Sequence, residues 1–213
     1  MNELYIGTGK GIGAELLAHR RSMGHTVYTI SSVDGENNFK VDWSTVNPTD
    51  LHRAVKSLPE LDIVFFNQNA SALSQKTFNL KNYKPLELWQ QSKYWQQTYF
   101  VSCQLPFMLI HELGDRVTEK TRVGWMLSHL INDHKADYQY ADYIGNKYQN
   151  YMLMKNFALN HPGNFFGIEP GSLPKSDFKQ QVDQISQIFA QDDLNGKVFC
   201  LDGTISSITT QLG

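Results

Sequence analysis

Leu4-Tyr5-Ile6-Gly7-Thr8-Gly9-Lys10-Gly11-Ile12-Gly13-Ala14-Glu15-Leu16-Leu17-Ala18 is the stretch that decides the fold. A short apolar run, too brief for a helix, enters a turn dense in glycine, and a helical pattern starts where the turn ends. Strand, tight turn and helix in that order are the first half of a βαβ unit. The same grammar recurs along the chain. Short apolar runs at 27–30, 63–66, 123–127, 165–168 and 198–201 are rich in β-branched and aromatic residues and lack polar alternation, as strands buried on both faces do. Lys40-Val41 is a weaker further strand. Helical patterns fall between them at 12–23, 48–58, 85–113, 140–160 and 177–191, while 71–85 reads as a surface loop or a frayed helix. Strands alternating with helices require right-handed crossovers, so the expected fold is a doubly wound α/β domain. Its parallel sheet would hold about seven strands, and residues 1–213 would form a single domain.

Composition narrows the partners. Across 213 residues, 19 Lys+Arg stand against 21 Asp+Glu, and a net charge of −2 supplies no basic field for nucleic acid or an anionic membrane. With 41% hydrophobic residues the chain can bury a core without a disulfide or metal staple. Cys103 and Cys200 lie far apart and make neither a disulfide framework nor a C-x-x-C motif, which fits a reducing cytoplasm. The N-terminal residues lack a basic region followed by an apolar stretch, and no run approaches the roughly 20 apolar residues of a membrane span. A cytoplasmic, membrane-free protein is the expectation.

A glycine turn that opens a helix lets the backbone approach a diphosphate and offers it free N–H groups and a partial positive charge. The natural ligand is a dinucleotide, held by Gly7, Lys10, Gly11, Ile12 and Gly13. The spacing is Gly-x-x-x-Gly-x-Gly; Ile12 breaks a G-x-G-x-x-G reading counted from Gly7, and no Gly-Lys-Ser/Thr of a P-loop follows. Cofactor preference is written at the end of the second strand, where an acid would bond a ribose 2′-hydroxyl and a 2′-phosphate would need donors. Ser31 and Ser32 stand there with the acid displaced to Asp34, and Lys10 offers positive charge, so NADP(H) is favoured over NAD(H). The alternative is that the serines cap a turn and Asp34 serves the ribose.

The ordered motifs that follow resemble those of the short-chain dehydrogenase/reductase family, whose glycine turn has this spacing. Val41-Asp42 is similar to the family's Asp near the adenine. Asp62 to Ala70 resembles its Asn-Asn-Ala-Gly strand end; counting from Asp62 puts Asn67 at the second Asn, whereas matching on Ala70 favours Asn69. Tyr143-Ile144-Gly145-Asn146-Lys147 looks like the catalytic Tyr-x-x-x-Lys, and Pro170-Gly171 like the Pro-Gly beside the nicotinamide. Asn195 to Gly203 resembles the family's closing segment, so the likeness runs the length of the chain. It implies an oxidoreductase that moves hydride between a nicotinamide cofactor and a carbonyl or alcohol. It also implies a homodimer or homotetramer paired through the helices 85–113 and 140–160, whose Trp89, Trp95, Tyr99 and Phe100 would lie in the core or at the interface.

The residues support that chemistry by themselves. Tyr143 and Lys147 at i and i+4 share one helix face, so the ammonium would lower the phenol's pKa and make it a proton donor or acceptor. The chain departs from the resemblance at the catalytic serine. Its position, thirteen residues before the tyrosine, holds Leu130; Ser128, two residues earlier on the same strand face, or Asn132 would have to serve. The helix asparagine is missing, and the short stretch between Gly171 and the next helix leaves little room for a lid over the substrate. His129, Asp133 and His134 lack a convincing third metal ligand, so no metal is expected. An alternative function is a dinucleotide-binding sensor or interaction protein with impaired catalysis.

Overall fold

The computed structural model describes residues 1–43, 45–68, 96–131, 141–170 and 178–201. Strands β1 (Asn2–Ile6), β2 (Thr26–Ser31), β3 (Asn38–Lys40), β4 (Ile63–Phe66), β5 (Arg122–Met126), β6 (Asn164–Glu169) and β7 (Val198–Cys200) form one sheet. Its order is β3-β2-β1-β4-β5-β6-β7, and every neighbouring pair is parallel. The helices are α1 (Ile12–Ser22), α2 (Pro48–Val55), α3 (Leu105–Leu113), α4 (Ala141–Asn160) and α5 (Phe178–Phe189). This is the doubly wound architecture expected from the alternating pattern. The third strand lies a little earlier than 40–41: Val41 has left it, although its N–H still reaches the Ser31 carbonyl at 2.8 Å.

Strand alternation sends side chains to two apolar layers. Leu4, Ile6, Val64, Phe66, Val123, Trp125 and Phe165 pack under α2, α3 and α4, whose Leu51, Leu109, Tyr151, Met154 and Phe157 meet them. Tyr5, Val27, Ile63, Phe65, Phe166 and Ile168 face α1 and α5, which contribute Leu16, Val182, Ile185 and Phe189. Local signals set the helix ends. Asn47 caps α2 through a reciprocal capping box with Asp50, and Pro48 opens its first turn.

Before α3 the helix runs through a π turn, Phe100–Gln104, and the cause is Pro106. Proline has no N–H to give the Ser102 carbonyl, so the α ladder cannot continue, and the Leu105 N–H bonds Phe100 five residues back. Among the described residues no helix is long and apolar enough to cross a membrane.

The amino-terminal edge of the sheet is pinned by charge. Glu3, fully buried on β1, takes the Arg20 guanidinium of α1, the Tyr5 hydroxyl at 2.8 Å and, within 3.0 Å, the imidazole of His25. Breaking a buried pair strands one charge in the interior, whereas removing both partners does not. Glu3→Gln should therefore lower stability by about 3–5 kcal/mol in urea unfolding, and the double variant Glu3→Leu with Arg20→Leu should recover most of that loss.

Candidate functional site

The sheet reverses its winding between β1 and β4, and in such folds ligands sit in the crevice beyond the carboxyl ends of the strands at that point. The glycine turn leaves β1 on one side of it, and Asn67 and Gln68 leave β4 on the other. Gly7, at φ 78°, is the junction. Its N–H donates to Ile30 of β2 at 3.0 Å, and its carbonyl accepts from Asn67 Nδ2 at 3.2 Å. A Cβ at residue 7 would run into the backbone of Gln68, and one at Gly13 would come within 2.5 Å of Asn67 Nδ2. Asn67 thus braces the turn from beneath. Gly11, which starts α1, has no side chain to cap it, so the first N–H groups of the helix, those of Ile12 and Gly13, face the open end. Lys10 is exposed at the tip of the turn.

These residues fit a dinucleotide. The turn is tight and free of side-chain bulk, its helix start is uncapped, and two polar atoms beside it are buried without partners: Thr8 Oγ1 in the turn and Gln68 Oε1 across from it. Burying such atoms unpaired costs on the order of 1–3 kcal/mol each, a cost that a ligand offering hydrogen bonds would remove.

The end of β2 differs from the expectation. Ser31 is buried, and its hydroxyl is spent on Asn38 Oδ1 at 2.8 Å and on Val33. Ser32 is exposed. Asp34 pairs with Lys40 at 2.7 Å, and the register of β2 and β3 sets Lys40 beside Ser31. Lys40 was missed in the sequence; its place next to the second strand's end becomes evident only once β3 is located. Asp42 is exposed, with its carbonyl accepting the N–H groups of Thr45 and Val46. Pro170 ends β6 half-buried. Asn69, Asn132 and Gly171 lie outside the described residues, as do Trp89, Trp95, Asp133 and His134.

Further along the same edge, Tyr143 and Lys147 project from one face of α4, and Lys147 Nζ stands 5.8 Å from the Tyr143 ring centre. Ser128 is buried beside Tyr143, near enough to lower the phenol's pKa. Leu130, at the family's serine spacing, sits instead in a 3-10 turn, His129–Ile131, which carries the chain off the strand line. The Leu130 N–H donates back to Ser128 Oγ at 3.3 Å, so the hydroxyl two residues earlier is the one presented to the phenol.

The electrostatics invert the expected effect on Tyr143. Burial raises its pKa above the ordinary phenol value, and the nearby Ser128 hydroxyl only partly opposes this. Lys147 does not pull it down, because its ammonium is turned to the Met126 carbonyl at 2.6 Å. Lys147 is only 5% exposed, and burial lowers its own pKa to about 8. Cys103, in the π turn, approaches the carbonyl of Asn146 at 3.7 Å, and burial raises its thiol to about 12. Glu169, buried at the end of β6, accepts the Cys200 thiol at 3.2 Å and adds to the burial that raises Tyr151. No group of three or more potential metal ligands occurs among the described residues.

Comparison with known proteins finds the same architecture in solved structures. A variant of a Serratia marcescens short-chain dehydrogenase/reductase is 14% identical, with a TM-score of 0.72 over 93% of this chain and 94% of that one. A Shigella flexneri protein provisionally named a short chain dehydrogenase, solved in complex with NADP, is 16% identical with a TM-score of 0.70, covering 94% and 96%. An Escherichia coli oxidoreductase is 16% identical, again with a TM-score of 0.70, covering 94% of each. No family model matches the sequence, and no curated protein matches it. The chain therefore has the fold of the short-chain dehydrogenases/reductases.

Lys147 yields a pH test. Its folded pKa is depressed below that of the unfolded lysine, so between about pH 8 and the ordinary lysine range the unfolded state binds the extra proton and stability rises with pH. Below about pH 8 both states are protonated, and the cost of the buried charge is present in full. Urea unfolding from pH 7 to 9, below the range where the raised Cys103 thiol acts in the opposite sense, should show this rise, on the order of 1 kcal/mol, and Lys147→Met should remove it.

Proposed function

We propose that the protein is a short-chain dehydrogenase/reductase that interconverts a small-molecule carbonyl and its alcohol, using NADP(H) in preference to NAD(H). The observation that carries this reading is the neighbourhood of Tyr143 and Ser128, with Lys147 one turn along, on the same edge of the sheet as the glycine turn. A dinucleotide would lie with its diphosphate over the N–H groups of Ile12 and Gly13, in the cradle cleared by Gly7, Gly11 and Gly13. The nicotinamide, when bound, supplies hydride to the carbonyl carbon or takes it from the alcohol carbon.

The protein's part is proton transfer and orientation. In reduction Tyr143 gives its phenolic proton to the carbonyl oxygen, and the phenolate left behind recovers a proton from solvent. A phenol held protonated by burial is already in the form that this direction needs. Ser128, beside that hydroxyl, would hold the substrate oxygen next to it. Lys147, protonated below about pH 8, would stabilise the transient phenolate and bond a cofactor ribose. Pro170, and Asp42 beyond β3, would flank the two ends of the cofactor.

Preference for the 2′-phosphate draws on Lys10, Ser32 and Lys40 rather than on Ser31, whose hydroxyl is already engaged. Pairing of two copies through the outer faces of α3 and α4 belongs to the same reading and is supported by the exposed Phe107, Tyr148 and Met152.

Two experiments test it. On a panel of aldehydes and ketones with NADPH, Tyr143→Phe should cut turnover by about 10³-fold while leaving the Kd for NADPH within about twofold, and Ser128→Ala should cost roughly 10–100-fold. Tight binding of NADPH without turnover in the unaltered protein would instead make it a dinucleotide sensor. Lys40→Gln should weaken NADPH binding about tenfold in calorimetry and leave NADH unchanged, because a charge-assisted bond to the 2′-phosphate is worth about 1.5–3 kcal/mol.

A further inference from the structure

We infer that Gln68 is a ligand-binding residue, whose carboxamide oxygen accepts a hydrogen bond from a hydroxyl of the ribose next to the nicotinamide; this rests on the dinucleotide reading of the site. The argument starts from Pro106. In the π turn the Leu105 N–H is taken by Phe100, and the next position in π register is Pro106, which has no N–H. The Val101 carbonyl is left without a helical partner by either pattern. Gln68 fills the gap, its Nε2 donating to that carbonyl at 3.4 Å. The bond also decides which way the amide faces, since the reverse placement would set two acceptors against each other. Oε1 is therefore the free end, and it is buried without a partner on a side chain only 4% exposed.

Its location assigns the ligand group. Gln68 stands at the point where the sheet reverses, its backbone pressed on Gly7 of the turn proposed to hold the diphosphate. On its other side is the π turn, whose Cys103 lies against Asn146, the residue before Lys147. The residue thus sits between the diphosphate end and the reacting end, and the piece of a nicotinamide dinucleotide that spans those two is a ribose, with hydroxyl donors to offer. A lone acceptor in a buried position is matched by such a donor.

Calorimetry with four probes tests the assignment: NADPH, NADH, ADP-ribose, which keeps both riboses, and 2′,5′-ADP, which has only the adenosine half. Gln68→Met should weaken the first three about tenfold and leave 2′,5′-ADP within about twofold. Equal weakening of all four, or no change in any, would overturn the inference. Should Gln68→Met not fold, side-chain amide NMR of the unaltered protein decides it: the Gln68 NH2 resonances should move with ADP-ribose and stay in place with 2′,5′-ADP, and the same movement with both, or none with either, overturns it. Failure of the unaltered protein to bind NADPH and NADH would take down the dinucleotide reading itself, whereas normal binding indifferent to residue 68 removes only this residue's part in it.

Discussion

Residue 7 has room for a hydrogen atom and nothing larger, and the carboxyl edge of the sheet is assembled around that fact. Gly7 continues β1, bonds β2 through Ile30, and takes the Asn67 amide and the Gln68 backbone from the end of β4. Three strands are tied at one α-carbon whose positive φ any side chain would strain. Because the turn is locked there, α1 begins at a fixed height above the sheet, and its uncapped N–H groups face the crevice. Any side chain at this position would push β1 and β4 apart at the switch point, which would loosen both the glycine turn and the floor on which Gln68 rests.

What could be read in the sequence follows from how local each cause is. The buried strands were legible because both of their faces are covered, which leaves continuous apolar runs such as Ile63-Val64-Phe65-Phe66. β3 was blurred because Asn38-Phe39-Lys40, at the sheet edge, has one apolar residue to show. Tyr143 and Lys147 were visible as a pair since four residues on one helix is a local relation. Ser128 depended on a 3-10 turn that no spacing rule contains, and only that turn makes two residues early the right place. Ser31 looked like a ligand donor because a hydroxyl at a strand end is one, yet Asn38, seven residues on, claims it through the pairing of β2 with β3. Gln68 had no signal at all, because the carbonyl its amide meets is freed by a proline 38 residues away from it in sequence.

The two edges of the sheet bury polar groups of different kinds. At the amino edge Glu3 meets Arg20, Tyr5 and His25, and charge is neutralised within the protein. At the carboxyl edge Thr8 Oγ1 and Gln68 Oε1 are left unpaired, and Lys147 is buried with a carbonyl as its acceptor. Such groups lower stability until something else supplies the missing bonds, and others of the kind, Trp125 Nε1 and His161 Nδ1 among them, lie away from the crevice.

Burial acts on both members of the Tyr143 and Lys147 pair in the same sense, toward neutrality: the phenol keeps its proton more firmly and the lysine gives its own up more readily. A proton donor should be protonated before the reaction, and its partner should keep its charge when a phenolate forms beside it. A lysine near pKa 8 is poised for that, because the negative charge created on Tyr143 would raise its proton affinity at the moment it is needed. The free protein therefore does not have to hold a permanently lowered tyrosine pKa. The Met126 carbonyl holds the ammonium, and Ser128 lies beside the phenol.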